Sequence, residues 1–287
     1  MIKLFTKVDE FISFREGLQN KSIGLVPTMG NLHEGHLSLI SESSKENDLT
    51  VVTIFVNPLQ FGPNEDFEKY PRTLEQDIQR IETLSIEKDI LILAPSSSAE
   101  IYPENFSTTI SITGLTENLC GASRPGHFDG VTTVVYRLFK ISSPTIAYFG
   151  QKDFQQQLVI KKMTRDLGLT VQIKTMPIIR EESGLAKSSR NQYLSNEERE
   201  QALELNTTLT KISDILTNQS YLDASISLNE VLENKIRDQR WEYLEILDSD
   251  SLQEITPTTD SAVILGALKI GETRLIDNQV IKIQYAR

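Results

Sequence analysis

Two features of the sequence predict an α/β fold, with a parallel sheet flanked by helices and a smaller α+β domain after it. Short β-branched runs alternate with amphipathic stretches over the first two-thirds of the chain, which is the pattern of βαβ units. Beyond Met176-Pro177 the texture changes to long helical stretches and then strands in succession. The chain of 287 residues exceeds what one core usually supports, so two unequal domains are expected, residues 1–177 and 178–287.

In the first domain, strands are assigned to residues 22–28, 50–56, 90–93, 145–149 and 171–175, whose apolar runs suit burial on both sheet faces. Helices are assigned to residues 37–45, 74–84, 131–140 and 154–167. Thr73 with Gln76 reads as a capping box for the second of these, placing Asp77 in its first turn. Ser195 with Glu198 reads as another, opening a helix that runs to about Leu216; a further helix covers residues 224–237. Residues 243–247, 262–268 and 273–276 then read as strands, punctuated by Pro257 and Gly271.

Hydrophobic content of 39% and charged content of 24% exclude a disordered or collagen-like chain. A formal charge of -11 opposes binding to a polyanion, so no nucleic acid partner is expected, although a small cationic pocket can still hold one nucleotide. Cys120 is the only cysteine, which rules out an internal disulfide and a thiolate cluster for zinc and fits a cytoplasmic protein. The opening MIKLFTKVDEF lacks the features of a signal peptide, and no stretch approaches the ~20 apolar residues of a membrane span. No membrane partner is expected.

The strongest local signal is Pro27-Thr28-Met29-Gly30-Asn31-Leu32-His33-Glu34-Gly35-His36, which leaves a strand and enters a helix. Two imidazoles three residues apart on a first turn face the same way, beside unpaired backbone N–H groups and the positive end of the helix dipole. Such a corner suits a triphosphate. The dipole contributes only ~0.3–1 kcal/mol per anionic group, so the imidazoles are needed as donors to developing charge. The bland alternative is a chance surface pair or a partial zinc site, and the latter is weakened because His127 is distant and no cysteine lies nearby.

Three more segments carry chemistry. Asn57 and Gln60, in Phe55-Val56-Asn57-Pro58-Leu59-Gln60-Phe61-Gly62, are amides at the carboxyl end of a buried strand, suited to a hydroxyl or carboxylate, though an ordinary turn reads the same way. Gly150-Gln151-Lys152-Asp153-Phe154-Gln155-Gln156 places a lysine at a strand–helix junction, within reach of a phosphate or simply solvated; Asp153 caps the helix or binds a ribose. Residues 180–191 mix cations with hydroxyls. Their Ser188-Ser189-Arg190 run suits either a flexible segment that closes over phosphates or a basic hinge loop.

Together these four segments resemble the pantothenate synthetase (pantoate–β-alanine ligase) family of the cytidylyltransferase-like superfamily, collinearly and over nearly the whole chain. Further matching pieces are Tyr70-Pro71-Arg72-Thr73, Leu119-Cys120-Gly121, Arg124-Pro125-Gly126-His127-Phe128-Asp129-Gly130 and Thr273-Arg274-Leu275-Ile276-Asp277-Asn278. The resemblance implies a Rossmann-like first domain and a small C-terminal lid domain. It implies that the carboxylate of pantoate attacks the α-phosphate of ATP, giving pantoyl adenylate and pyrophosphate, after which β-alanine displaces AMP. Catalytic roles pass by resemblance to His33, His36, Lys152, Ser188, Ser189 and Arg190. The same residues with Met29, Gly150 and Asp153 are implied to bind ATP, and Gln60, Gln156 and Asn57 to bind pantoate. Magnesium is implied as the partner of the phosphates, held mainly by phosphate and water oxygens, with Asp77 as its candidate protein ligand. A homodimer is also implied.

The sequence departs from the family pattern at Gln76, where many relatives carry a second acid beside Asp77, at Lys187, and at Asn31. Other readings are a different nucleotidyltransferase, a non-catalytic nucleotide-binding module and a tRNA ligase. The last lacks support from any basic surface.

Overall fold

The computed structural model describes residues 1–18, 20–63, 65–219 and 221–283. Contacts divide the chain into two compact units, Met1–Pro177 and Ile178–Arg287, each described by itself below.

The first unit opens with β1 (Ile2–Phe5) and α1 (Val8–Glu16), followed by β2 (Ile23–Thr28), α2 (Glu34–Glu46), β3 (Leu49–Ile54), α3 (Leu74–Glu82) and β4 (Asp89–Leu93). Two short helices, α4 (Ser98–Ile101) and α5 (Leu119–Ser123), precede α6 (His127–Ser142), β5 (Ile146–Gly150), α7 (Phe154–Asp166) and β6 (Gln172–Met176). The six strands form one sheet in the order β1-β4-β3-β2-β5-β6, every pair parallel. Central strands β2, β3 and β4 are buried along nearly their whole length, as apolar runs between two helical layers require. The last strand differs from expectation: β6 lies at the sheet edge and stays half-buried, because only β5 pairs with it.

Apolar side chains from β2, β3 and β4 pack with Leu39 and Ile40 of α2 and Ile81 of α3 in one core cluster. Helix α2 approaches β2 closely at Gly24, where an added Cβ would press on Ser43 Oγ and lie 2.6 Å from Asn47 Nδ2. The capping box expected at Thr73 and Gln76 does not form. Thr73 makes no side-chain cap, and its hydroxyl donates instead to Asp77 Oδ2 at 3.2 Å.

The second unit contains α8 (Asn196–Asn218), α9 (Tyr221–Ile236), β7 (Trp241–Asp248), β8 (Ser261–Ile270) and β9 (Thr273–Lys282). Its strands form an antiparallel sheet in the order β7-β8-β9. The Ser195–Glu198 capping box forms as the sequence predicts, with Ser195 N–H donating to Glu198 Oε2 at 2.8 Å and Glu198 N–H to Ser195 Oγ at 3.2 Å. Leu205, Leu209 and Ile212 of α8 pack on the sheet, and Gly266 of β8 lets Leu205 come close. Strand β9 is longer than the predicted residues 273–276, because the polar pair Asp277-Asn278 is buried within it rather than ending it. No helix among the described residues is long and apolar enough to cross a membrane.

Candidate active site

The direction of strand order reverses between β2 and β5, so a crevice forms at their carboxyl ends, the place where ligands of parallel sheets bind. Pro27 helps to open it. Thr28 offers its carbonyl to Phe55 N–H on the β3 side, so the main chain of Pro27 faces β5 and has no N–H to donate there. Pairing between β2 and β5 accordingly joins Gly24 and Leu25 to Ile146 and Ala147 and goes no further.

Residues 28–36 turn from β2 into α2. Gly30 takes φ +83, a left-handed conformation that favours glycine, and its N–H donates to Thr28 Oγ1 at 3.1 Å. The N–H groups of Asn31 and Leu32 both donate to the Asp77 carboxylate, at 3.0 and 2.7 Å. His33 is the N-cap: Gly35 N–H donates to His33 Nδ1 at 3.1 Å, and His33 N–H donates to His36 Nδ1 at 3.3 Å. Of the first-turn N–H groups expected to be unpaired, that of Gly35 is taken up by His33. Side chains of Thr28, His33, His36 and Asp77 satisfy the N–H groups of residues 30, 31, 32, 33 and 35.

What the corner presents instead is imidazole. Each Nδ1 accepts a hydrogen bond from a backbone N–H, so a neutral ring carries its own proton on Nε2 in both histidines. Burial is the main force holding His36 down at about 4; the Lys152 ammonium lowers it further and the Asp153 carboxylate opposes. His36 is neutral at neutral pH and feels Lys152 and Asp153 directly, so the turn after β5 lies beside the turn after β2. The two imidazole rings lie 4.1 Å apart, and a Cβ added at Gly35 would lie 2.8 Å from His33 Cε1.

Asp77, the expected magnesium ligand, is 1% exposed, and both of its oxygens accept hydrogen bonds from the 31–32 main chain and Thr73. This carboxylate braces the loop. Among the described residues no group of three His, Cys, Asp or Glu side chains is arranged to hold a metal ion.

A 3-10 turn, Pro58–Gln60, follows β3 and packs against α6. Asn57 is 1% exposed; its Nδ2 donates to Gln60 Oε1 and to the Gly130 carbonyl, both at 3.1 Å. Its Oδ1 accepts from Leu59 N–H at 3.3 Å and Tyr102 Oη at 2.7 Å. Asn57 thus supports Gln60, with its amide engaged inside the protein. Gln60 Nε2 lies 3.1 Å from Met29 Sδ, which joins this turn to the corner after β2.

After β5, Gly150 has open space where a Cβ would stand. Residues Gln151–Asp153 make a 3-10 turn into α7. Of the three glutamines that follow, Gln155 is buried and donates to Leu115 O and Asn118 O, and Gln157 accepts from Thr175 Oγ1. Gln156 between them is half-buried.

In the second unit, Ser188 caps the 3-10 turn Ser189–Tyr193, its hydroxyl accepting from Arg190 N–H at 3.3 Å. The segment is braced rather than slack. Arg180 forks onto Asp277 at 2.6 and 3.0 Å, Arg180 bridges to Ala186, and Asn191 Nδ2 donates to Glu181 Oε1 at 3.0 Å. Glu181 also pairs with Arg199 at 3.2 Å.

Sequence reasoning missed Glu65, Tyr102, Arg124 and His127 as supports of the Gln60 turn, and Arg180 with Asp277 as the brace of residues 180–191. Several of them lie within strings that carry the resemblance, yet what each does rests on partners 45 to 97 residues away.

The family model described as pantoate-beta-alanine ligase matches residues 3–280. A pantothenate synthetase of Acetivibrio thermocellus is 47% identical over 91% of this chain and 92% of its own length. One from Thermosipho africanus is 46% identical over 98% of this chain and 100% of its own. Among solved structures, pantothenate synthetase from Thermus thermophilus superposes with a TM-score of 0.86 at 42% identity, covering 96% of this chain and 98% of that one. Pantoate-beta-alanine ligase from Francisella tularensis, solved in complex with beta-gamma ATP and beta-alanine, gives 0.78 at 34% identity over 98% of both chains. A parallel sheet with an imidazole corner at its switch point, matched along almost its whole length by these enzymes, places the chain in the pantoate–β-alanine ligase family, which condenses pantoate with β-alanine using ATP.

Proposed function

We propose that the condensation runs through pantoyl adenylate, assembled at the crevice after β2, β3 and β5. A carboxylate oxygen of pantoate attacks the α-phosphorus and pyrophosphate leaves; the amine of β-alanine then attacks the acyl carbon and AMP leaves with the bonding pair. Adenylation turns a poor leaving oxygen into a good one, so no covalent enzyme intermediate is needed. The observation that carries this reading is the tautomer of His33 and His36, whose Nε2–H groups are donors suited to charge that builds on phosphate oxygens. Lys152, beside His36, adds a cation, and open space at Gly150 leaves room for the nucleotide.

In this reading Gln60 and Gln156 hold pantoate, Met29 and Asp153 line the nucleotide pocket, and Ser188, Ser189 and Arg190 are assigned to phosphate from family membership. Magnesium would reduce repulsion among the phosphate oxygens. Asp77 is the candidate ligand on this chain, and since its oxygens already serve the loop, the protein would contribute little to holding the ion. The chain acts as a homodimer in the cytoplasm, and sedimentation tests the first statement.

Carboxyl-18O pantoate tests the intermediate. Transfer of one label into AMP is the expected result, whereas label-free AMP with label retained in the amide product or water excludes it.

A further inference from the structure

The string Arg124-Pro125-Gly126-His127 has no role in the reaction as described, yet it grips the Gln60 turn. Resting on the reading of Gln60 as a contact to the hydroxy acid, we infer that Arg124 and His127 are positioning residues. They fix the Gln60 main chain so that its side-chain amide meets the acid in one orientation.

The hydrogen-bond chemistry allows one arrangement. The Gln60 carbonyl can only accept, and it lies 2.8 Å from His127 Nδ1, so Nδ1 carries the proton. Arg124 can only donate, and its Nη1 lies 3.0 Å from His127 Nε2, so Nε2 is the lone-pair atom. His127 is therefore neutral; burial first, and the Arg124 charge second, hold it at about 4. Arg124 is itself locked in a fork with Glu65, at 2.7 and 2.6 Å, five residues beyond Gln60 on the same loop. Burial opposes ionisation of Glu65, but the Arg124 bonds and charge prevail and keep it below its ordinary value. Arg124 Nη2 also points at the Gln60 carbonyl at 3.4 Å. The loop is tied at residue 60 to His127 at the start of α6, and at residue 65 to Arg124 just before it.

The side chain is oriented from the other side. Asn57 Nδ2 donates to Gln60 Oε1, and Tyr102 Oη holds Asn57, so the Gln60 amide nitrogen faces away from them toward Met29. The outward group is then a donor, matched to a carboxylate or hydroxyl oxygen and not to an amine. Releasing the main chain removes that choice without removing Gln60.

Three variants and a double variant test this, with initial rates read at saturating ATP and β-alanine. In H127Q the amide takes the place of Nε2 and cannot donate to Gln60; in H127N it takes the place of Nδ1 and can. H127Q and R124M are expected to raise KM for pantoate about tenfold with kcat and KM for ATP within about twofold, while H127N restores KM to within about threefold. Combining H127Q with Q60A is expected to add little beyond Q60A alone. Arg124 is nearer the surface than His127, so R124M carries the test if H127Q does not fold.

A pantoate KM within twofold of the parent in the folded variants, while Q60A raises it, overturns the positioning role and leaves the reading of Gln60 standing. An unchanged KM in Q60A overturns both. Equal loss for pantoate and ATP, or failure of H127N to recover, reduces the cluster to a brace of the fold and also overturns the proposal.

Discussion

His33 and His36 cap one helical turn reciprocally, each Nδ1 accepting a hydrogen bond from a backbone N–H, that of Gly35 at 3.1 Å and that of His33 at 3.3 Å. The cap and the proposed chemistry are thus one device, because the same bonds that start α2 dictate which ring nitrogen carries a proton. Removing a ring removes a cap bond and a donor together, with very different consequences. H36A is expected to cost about 1 kcal/mol of stability, as for loss of a cap, but to slow pantoate-dependent pyrophosphate release by ~10²–10³. Urea unfolding and single-turnover assays separate the two effects, and turnover near the parent rate removes His36 from the chemistry.

Protonation gives a second handle on the same region. His127 is held at about 4 against an ordinary 6.5, with Arg124, Glu65 and Asp153 as the charges facing it. Between these values the unfolded chain binds a proton that the folded chain refuses, so stability is full above about 6.5 and falls as pH drops toward 4. The contribution lost by pH 4.5 is roughly 2–3 kcal/mol for a group this buried. Urea unfolding of H127N from pH 7 to 4.5 is expected to show a shallower decline than the parent by about that amount. Parallel declines would show that burial of this imidazole does not govern acid stability.

Gly130 sets how closely α6 approaches the Gln60 turn. A Cβ there would lie 2.6 Å from Gln60 Cα and nearer still to the Leu59 carbonyl, both main-chain atoms that cannot rotate away. G130A is expected to lower stability by ~1–3 kcal/mol, the usual cost of overpacking, and to raise KM for pantoate more than KM for ATP. Thermal melts with steady-state kinetics check both, and a crystal structure of the variant is expected to show the turn displaced from α6.

Much of the fold was legible because it rests on local pattern. Strands β2 to β5 fall within two residues of the predicted bounds, and Ser195 with Glu198 caps α8 as read. Elements with weak local signals escaped: β1 is an edge strand with mixed burial, and Lys7 before α1 offers no side-chain cap. Thr73 and Gln76 illustrate the opposite error, a valid cap pattern that does not form, the Thr73 hydroxyl being turned to donate to the Asp77 carboxylate in the same turn. The candidate site was legible where adjacent residues act together, as at His33 and His36. It was not legible where function depends on reach across the fold, since nothing in the sequence joins Glu65 to Arg124 or Arg180 to Asp277.

The Arg180–Asp277 fork fixes the segment that carries Ser188, Ser189 and Arg190. Asp277 is 3% exposed, so removing its charge strands the guanidinium in a site shaped for a carboxylate. D277A is expected to cost about 3 kcal/mol, at the low end for a buried pair because Arg180 retains some access to water. Loosening residues 180–191 is expected to accelerate amide exchange there, before any change in the first unit. Exchange measured by mass spectrometry checks this, and unchanged protection of that segment refutes the bracing role.

Asp77 provides a test of brace against metal ligand. Its two oxygens accept the N–H groups of Asn31 and Leu32, which lead directly into His33. In D77N the remaining oxygen can satisfy one of these, and the new amide hydrogens confront the other, so the corner loses its fixed geometry while the site loses one negative charge. A bracing role predicts that kcat falls about tenfold or more while the magnesium concentration giving half-maximal rate stays within about twofold, because phosphate and water oxygens still hold the ion. Direct ligation predicts the reverse, a large rise in the magnesium requirement that excess metal repairs. Titrating magnesium at fixed ATP in both proteins decides between them, and rescue of D77N by metal would overturn the bracing role.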